Sequence, residues 1–189
     1  NTGGAHLVLG IQPDIAVFSK ALGNGYPIAA IIGKSEVMEA AQRSFISSTY
    51  WTERIGPTAA LATIKKFRQN DVGKHLMKIG QMVQDGWRDL FAKHGVEAHI
   101  GGIPPLSYFA FEQEEALALK ALFVQGMLER GFLATNSFYA MYAHSPDHVT
   151  RYLEAMDQVL SLLREALEEK NVEGRLLGKP SVASFKRLS

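Results

Sequence analysis

The chain has 189 residues, of which 47% are apolar, and a formal net charge of +1 at pH 7. A chain of this length can bury a sizeable core, and its near-neutral charge gives no reason to expect nucleic acid or a membrane as a partner. The absence of cysteine excludes disulfides and thiolate-bound metals, and it leaves the compartment open.

The chain opens on the turn sequence Asn1-Thr2-Gly3-Gly4 without an initiator Met, so we expect a fragment or a processed chain. No apolar run in the sequence approaches the roughly 20 residues that span a bilayer. On separate grounds, given below, we expect a cytoplasmic protein.

The first predicted strand is a short apolar run at residues 15–18. Such a continuous run is typical of a strand that is buried on both faces of a parallel or mixed sheet. A loop rich in Gly, Asn and Pro follows at residues 21–27, and residues 28–32 predict a second strand. Ser35 is the expected N-cap of a short helix over residues 35–43.

The middle of the chain predicts two helices. Residues 44–55 are rich in aromatic and hydroxyl side chains without periodicity, and they predict a connecting segment that can carry function. A helix is expected to begin near Pro57, and after a break near Asn70-Asp71 the helical spacing of apolar residues continues. Gly95 is the expected C′ residue of this second helix.

The elements beyond Gly95 follow a different order. We expect two strands at residues 96–100 and 106–111 and then a helix at residues 114–130. A further strand is expected within residues 132–143, before a long amphipathic helix at residues 146–170 and a basic, loop-like tail from Asn171. This β-β-α-β-α order is typical of an α+β unit, so we expect two domains, residues 1–95 and residues 96–189.

Lys20 stands where the first predicted strand meets the glycine-rich loop. The ordinary interpretation is a surface lysine whose stem packs on apolar neighbours. In open α/β sheets, however, ligands bind beyond the carboxyl ends of strands. A partly desolvated lysine there loses proton affinity, and its free amine can form a Schiff base with a carbonyl. Gly23 and Gly25 would let the backbone approach a cofactor closely.

Two segments resemble one enzyme family. The segment PDIAVFSKALGNGYPIAAIIGK, residues 13–34, resembles the lysine segment of class III, fold type I, pyridoxal-phosphate-dependent aminotransferases, and it is most similar to the branch with glutamate-1-semialdehyde aminomutase. In that family the lysine holds the cofactor as an internal aldimine. The segment STYWTERIGPTAALA, residues 48–62, resembles the family's Thr-x4-Pro segment, whose threonine contacts the cofactor phosphate of the neighbouring subunit. The resemblance gives these roles to Lys20 and Thr52. A looser match, residues 131–149, resembles the C-terminal strand and the turn into the last helix.

The resemblance implies an α/β architecture: the end of the fold type I large domain, followed by a small α+β C-terminal domain. It implies pyridoxal 5′-phosphate as cofactor, an amine or amino acid with a keto or aldehyde compound as substrates, and a homodimer with shared active sites. Lys20 would hold the cofactor and move a proton on the substrate. The family's carboxylate for the pyridine nitrogen, its phosphate turn and its stacking aromatic correspond to segments upstream of Asn1, so we expect little activity from this chain alone.

Two alternatives of different classes stay open. The chain can belong to another fold type I enzyme, such as an aminomutase, a decarboxylase or a racemase, because these enzymes share the lysine chemistry. It can also be a non-catalytic fragment that only dimerises.

Other candidate sites are weaker. His144 and His148 have the spacing of a helical metal pair, but Ser145-Pro146-Asp147 predicts a helix start with Ser145 as N-cap, so we expect no metal site. The loop Gly23-Asn24-Gly25 lacks the spacing of a nucleotide-phosphate cradle.

The aromatic and hydroxyl residues before the first long helix also have simpler interpretations. Tyr50 and Trp51 are expected to pack rather than to line a substrate pocket. Thr52 by itself predicts a turn or capping role.

Overall fold

The computed structural model describes residues 3–180 of the chain. The opening residues Asn1 and Thr2 lie outside the described residues, as does the end of the expected loop-like tail, residues 181–189. Within the described range, no helix combines the length and the apolar character that a bilayer crossing requires.

The chain divides into two compact units, one up to Lys74 and one from His75 onward. The division falls inside α4, Val72–His94, because the buried face of this helix belongs to the core of the second unit. This division into compact units does not test the domain boundary that we expect near Gly95, so that boundary stays a prediction.

The first unit is built from short elements around a two-stranded sheet. Its helices and strands are α1 Ala5–Val8, β1 Ile15–Phe18, β2 Ala30–Gly33, α2 Ser35–Met38 and α3 Ile55–Gln69. β1 and β2 run antiparallel, with Ile15 opposite Gly33 and Phe18 opposite Ala30. The first predicted strand is therefore confirmed with its bounds, and the second begins slightly later than predicted.

β1 is not the doubly buried strand that its apolar run predicts. Ile15 and Val17 expose 48% and 66% of their surface. Among the described residues β1 pairs with β2 alone, and a sheet of two strands cannot cover both of its own faces. The apolar run indicates a strand correctly, but its burial depends on what the rest of a fold places over it.

The starts of α2 and α3 differ slightly from the prediction. Lys34 has an extended backbone and is the N-cap of α2, so the predicted Ser35 cap is wrong. A 3₁₀ turn, Glu39–Arg43, completes this short helical segment. α3 begins shortly before Pro57, which therefore lies in the first turn, where a missing amide hydrogen leaves no helical bond unmade.

The predicted break between the two long helices of the middle region is confirmed. α3 ends at Gln69, α4 begins at Val72, and Asp71 between them has a left-handed backbone with φ of 45°. Gly95 follows the end of α4 with φ of 60°, which is the conformation expected of a C′ glycine.

The second unit has the β-β-α-β-α order that the sequence predicts. After α4 it contains β3 Ala98–Ile103, β4 Leu106–Phe111, α5 Ala116–Glu129, β5 Ser137–Tyr139 and α6 Pro146–Glu168, followed by a 3₁₀ turn at Glu173–Arg175. The strands form an antiparallel sheet in the order β3-β4-β5, with Ile100 opposite Phe109 and Ser107 opposite Phe138.

Phe109 is at the centre of the core of the second unit. Strand β4 alternates exposed and buried residues, and Phe109 and Phe111 belong to its buried side. The Phe109 ring packs edge-on against Trp87 of α4 and Phe123 of α5, with ring centroids 5.0 Å and 5.2 Å apart. Burying a side chain of this kind contributes about 1.5–3 kcal/mol. This packing holds the framework from which the loop between β5 and α6 extends.

Candidate active site

Lys20 lies just beyond the carboxyl end of β1, where the sequence predicts it. It is the first residue of a 3₁₀ turn, Lys20–Leu22, and Ser19 before it has an extended backbone. The amide of Leu22 donates to the carbonyl oxygen of Ser19 at 3.0 Å, and the amide of Asn24 donates to the carbonyl oxygen of Lys20 at 3.1 Å. These bonds hold the turn that presents the lysine.

The backbone of Lys20 is left-handed, with φ of 51°. For a residue with a side chain this conformation costs about 1–2 kcal/mol. Asn24 has a similar φ of 48°, but asparagine adopts this conformation more readily. Unfavourable backbone conformations persist where the surrounding structure holds them, and they cluster at ligand sites.

An open pocket of about 490 Å³, the lysine pocket, lies beside this turn. It is lined by Lys20, Ala21, Asn24, Gly25, Tyr26, Pro27 and Ile28. Within the part of the chain that the structure describes, Lys20 is the only charged residue of this lining, and it is exposed. The lysine pocket therefore has one primary amine in its described lining.

The two glycines of the loop have different roles. A Cβ on Gly23 would lie 2.2 Å from the carbonyl oxygen of Tyr26, so Gly23 is required for the loop to fold against itself. Gly25 has φ of 111°, and no described atom lies within 4 Å of the position that its Cβ would take. Gly25 lines the lysine pocket and leaves space for a ligand, whereas Gly23 closes the loop.

Thr52 lies in an exposed turn before α3 and is not part of the lining of the lysine pocket. Tyr50 and Trp51 expose 75% and 70% of their surface, so they do not pack in the core of this chain, and packing at an interface stays a prediction. The first turn of α3 contacts the pocket loop, because a Cβ on Gly56 would lie 3.1 Å from the carbonyl oxygen of Pro27. The structure thus joins the helix that follows Thr52 to the lysine pocket and leaves Thr52 outside it.

Glu53 has a role that sequence reasoning missed. Its carboxylate oxygens accept hydrogen bonds from the amides of Ile55 and Gly56, the second at 3.0 Å. A carboxylate at the N-terminus of a helix stabilises that helix by about 0.3–1 kcal/mol. An acidic residue immediately before the predicted helix was the signal that could have found it. Glu53 therefore performs the capping that we considered for Thr52.

The predicted cap at the start of α6 is confirmed. The hydroxyl of Ser145 accepts from the amide of His148 at 3.3 Å, and Nδ1 of His148 accepts from the amide of Ser145 at 3.1 Å. The two residues form a capping box. Among residues 3–180, no group of three or more His, Cys, Asp or Glu side chains could hold a metal ion.

A second pocket, the histidine pocket, has a volume of about 820 Å³ and belongs to the second unit. Its lining is mostly apolar and aromatic, and it includes Phe132, Phe138, Tyr139, Met141, His144 and His148. Sequence reasoning did not find this pocket, because its residues are brought together by the packing of β5 against α6 and the loop between them.

Comparisons with known proteins agree on one family. The family model described as Aminotransferase class-III matches residues 2–166. The 2′-deamino-2′-hydroxyneamine transaminase of Streptomyces kanamyceticus is 30% identical over 154 residues, which cover 80% of this chain and 39% of the relative. The glutamate-1-semialdehyde 2,1-aminomutase of Methanocaldococcus jannaschii is 27% identical over 174 residues, which cover 83% of this chain and 41% of the relative.

Solved structures share the fold. The FumI protein of Sphingopyxis sp. MTA144, in its PLP internal aldimine form, matches with a TM-score of 0.80 at 24% identity, over 87% of this chain and 40% of that chain. An omega-transaminase from Sphaerobacter thermophilus matches with a TM-score of 0.77 at 21% identity, over 86% and 41%. The chain thus spans about two fifths of the length of the proteins that it matches.

The family prediction from the lysine segment is confirmed: this chain has the fold type I architecture and belongs to the class III aminotransferases.

Proposed function

We propose that the complete protein transfers an amino group between an amine or amino-acid donor and a keto or aldehyde acceptor. Its cofactor is pyridoxal 5′-phosphate, and Lys20 is the residue that binds it. The observation that carries this proposal is the position of Lys20 at the end of β1, with a left-handed backbone and an exposed side chain beside the lysine pocket. Membership of the class III aminotransferases supports the same chemistry.

The lysine pocket fits the aldehyde part of the cofactor. A primary amine is the protein group that binds an aldehyde covalently, and Lys20 offers one in an open pocket. Gly25 leaves space beside it for a flat ring. The described lining has no second charged residue, so it offers no ion pair to the phosphate or to the pyridine nitrogen.

Lys20 has two tasks in this proposal. Its Nζ first holds and orients the cofactor, and when a substrate amine takes that place, Nζ moves the proton at the substrate Cα. A positioned acid–base group of this kind contributes about 10²–10⁴-fold to a rate. Bound pyridoxal phosphate supplies an electron sink for the negative charge that develops at that carbon.

Lys34 is a poor alternative to Lys20, although it lies close in sequence. Its Nζ forms an ion pair with Oδ1 of Asp14 at 2.6 Å. This ion pair occupies the Lys34 side chain, whereas attack on an aldehyde needs a free amine. Lys34 is therefore a natural control for the assignment of Lys20.

The proposal includes a homodimer in which Thr52 contacts the cofactor phosphate of the neighbouring subunit. The resemblance of residues 48–62 to the family segment supports this role. The same region exposes three aromatic side chains, with 97% of the surface of Phe45, 75% of Tyr50 and 70% of Trp51 open. Large exposed aromatic side chains are typical of protein interfaces. A cytoplasmic location belongs to the proposal and rests on the resemblance alone.

An aminomutase is the second candidate function, because glutamate-1-semialdehyde aminomutases are among the relatives. An aminomutase moves the amino group within one substrate, whereas a transaminase moves it between two. Lys20 would have the same tasks in both reactions, so the residue assignment does not depend on the choice.

Borohydride reduction of the full-length protein with pyridoxal phosphate, followed by peptide mapping, tests the assignment. We expect the cofactor to be fixed on Lys20, and a label on Lys34 or on another lysine would contradict it. Incubation with one donor and no acceptor then separates the two functions. A transaminase releases one equivalent of keto or aldehyde product per site, and an aminomutase releases the isomer of its substrate.

A further inference from the structure

The loop between β5 and α6 is held by two imidazole rings that accept hydrogen bonds from backbone amides. Nδ1 of His144 accepts from the amide of Met141 at 3.1 Å, and Nδ1 of His148 accepts from the amide of Ser145 at 3.1 Å. An imidazole nitrogen can accept a hydrogen bond only while it carries no proton. Both rings therefore have an unprotonated Nδ1 when the loop has this conformation.

A third histidine meets the same loop from α4. Nε2 of His75 donates to the backbone carbonyl oxygen of His144 at 2.9 Å. The ring centroids of His144 and His148 are 6.4 Å apart, and the His144 ring stacks on Phe138 of β5 at 5.2 Å. The loop thus lies next to three rings from other elements: His75 of α4, His148 of α6 and Phe138 of β5.

The titratable groups that face His144 disfavour its charged form. Burial, followed by the neighbouring His148 and His75, lowers the pKa of His144 below its ordinary value of 6.5. His148 lies in the first turn of α6.

The packed elements also carry charged groups close in sequence to the three histidines. Asp147 is the acidic residue in the first turn of α6, and Arg151 follows one turn later on the same helix. Near His75, α4 carries Lys74 and Lys78, and Tyr142 of the loop packs edge-on against the His75 ring at 5.2 Å.

The loop also forms part of the wall of the histidine pocket. Tyr139, Met141, Ala143, His144 and His148 all line this pocket of about 820 Å³. A change in the loop would therefore change the shape and the opening of the pocket.

We propose that His144 and His148 form a proton-operated latch that fixes the two consecutive turns by which the β5–α6 loop enters α6. With both Nδ1 atoms unprotonated, the latch is closed, and the loop forms its side of the histidine pocket. Protonation puts an N–H group opposite the amides of Met141 and Ser145, so both of these bonds to Nδ1 are lost and two positive charges arise at the N-terminus of α6. A protonated Nδ1 of His148 can then donate to Oγ of Ser145, 3.2 Å away, so the loss is largest at His144. The loop then detaches from the turn at Met141–His144, while the bond from Nε2 of His75 to the His144 carbonyl oxygen remains, and this side of the pocket loosens.

The direction of the pH dependence follows from proton binding. In the detached loop His144 recovers its ordinary proton affinity, so the detached state binds more protons than the closed state. The closed state is therefore fully stable above a pH of about 6.5 and is lost as the pH falls below this value. The latch does not depend on the substrate or on the proposed reaction.

Hydrogen exchange of the full-length protein, followed by mass spectrometry, tests the latch. Exchange in a peptide over residues 139–149 is measured at about pH 7.5 and about pH 5.5, corrected for the intrinsic pH dependence of exchange, with β4 as internal reference. We expect protection of the loop to fall roughly ten-fold at the lower pH, which corresponds to the loss of the two hydrogen bonds.

Asparagine variants separate the latch from a general effect of acid. The side-chain oxygen of Asn can replace Nδ1 as an acceptor, and it does not take up a proton in this range. The double variant H144N/H148N should keep its loop protection at both pH values, and H99N, at an exposed residue of β3, should behave like the unaltered protein. Equal loop protection at both pH values in the unaltered protein, or the same fall in the double variant, would overturn the proposal.

A measurement without variants covers the case in which the double variant fails to fold. Nitrogen-15 NMR of the imidazole rings at about pH 7.5 reports which nitrogen carries the proton. We expect Nε2–H with unprotonated Nδ1 for both His144 and His148. A proton on Nδ1 of either ring would overturn the latch.

Discussion

Nε1 of Trp87 donates a hydrogen bond of 2.9 Å to the hydroxyl of Tyr152, which joins α4 to α6 inside the core of the second unit. The Trp87 side chain is fully buried, and Tyr152 is buried as well. Burial raises the pKa of Tyr152 far above its ordinary value of 10, and the hydrogen bond from Trp87 opposes this effect only in part. The hydroxyl is therefore neutral in the folded protein.

Tyr152→Phe should lower the free energy of unfolding by about 1–3 kcal/mol, because it leaves the buried N–H group of Trp87 without an acceptor. Urea unfolding of the full-length protein measures the change. The control is Tyr139→Phe, at a tyrosine with 67% of its surface exposed, for which we expect a change below about 0.5 kcal/mol. Equal stabilities of the two variants would show that the Trp87–Tyr152 bond contributes nothing net.

The stability of the protein should also fall steeply above a pH of about 10. Tyr152 stays protonated in the folded state and ionises near its ordinary pKa in the unfolded state, so above that value the folded state binds more protons. The free energy of unfolding, measured with urea between about pH 9 and pH 11, tests this pH dependence. The fall should be smaller in Tyr152→Phe, and an identical pH dependence in both proteins would contradict the assignment.

Lys20→Gly should stabilise the fold while it removes cofactor attachment. Glycine adopts a φ of 51° without strain, so relief of the left-handed backbone should exceed the entropy that glycine loses, for a net gain of about 0.5–1 kcal/mol. Ala21→Gly, one residue later in the same turn, should reduce stability instead. Retention of borohydride-fixed cofactor in Lys20→Gly, or a loss of stability in this variant, would argue against a lysine held there for function.

Thr52→Val should weaken cofactor retention in the full-length dimer by roughly ten-fold or more, because a hydroxyl bonded to a phosphate contributes about 1.5–3 kcal/mol. Thermal stability of the protein without cofactor should not change. Thr49→Val, in the same exposed segment, is the matched control and should retain the cofactor normally. Normal retention in Thr52→Val would remove this threonine from the proposed site, and loss in Thr49→Val alone would move the role there.

The 189-residue chain by itself should not catalyse transamination at a meaningful rate. Lys20 is the only charged residue in the described lining of the lysine pocket, so this lining offers no ion pair to the phosphate or to the pyridine nitrogen. Without these contacts the cofactor would be poorly oriented. Incubation with pyridoxal phosphate and a panel of amine donors, followed by absorbance, tests this. Stoichiometric conversion of the cofactor to its amine form would contradict the prediction.

The sequence by itself determined the order of the elements and the family. Local rules predict the positions of four features correctly: the strand at residues 15–18, the break at Asp71, the C′ glycine Gly95 and the cap at Ser145. These features depend on backbone conformation and on hydrogen bonds between near neighbours, which a short stretch of sequence specifies. The lysine segment identifies the family for the same reason, because its motif is contiguous.

Only the tertiary structure decided which of these elements are covered and which distant residues meet. An apolar run predicts that β1 is buried, yet Ile15 and Val17 are exposed, because burial depends on neighbours that local sequence does not specify. Trp87 and Tyr152 are 65 residues apart in sequence and pair only because α4 packs near α6 in one core. The acceptor roles of His144 and His148, and the pocket that they line, likewise exist only once the loop is folded against the helix start.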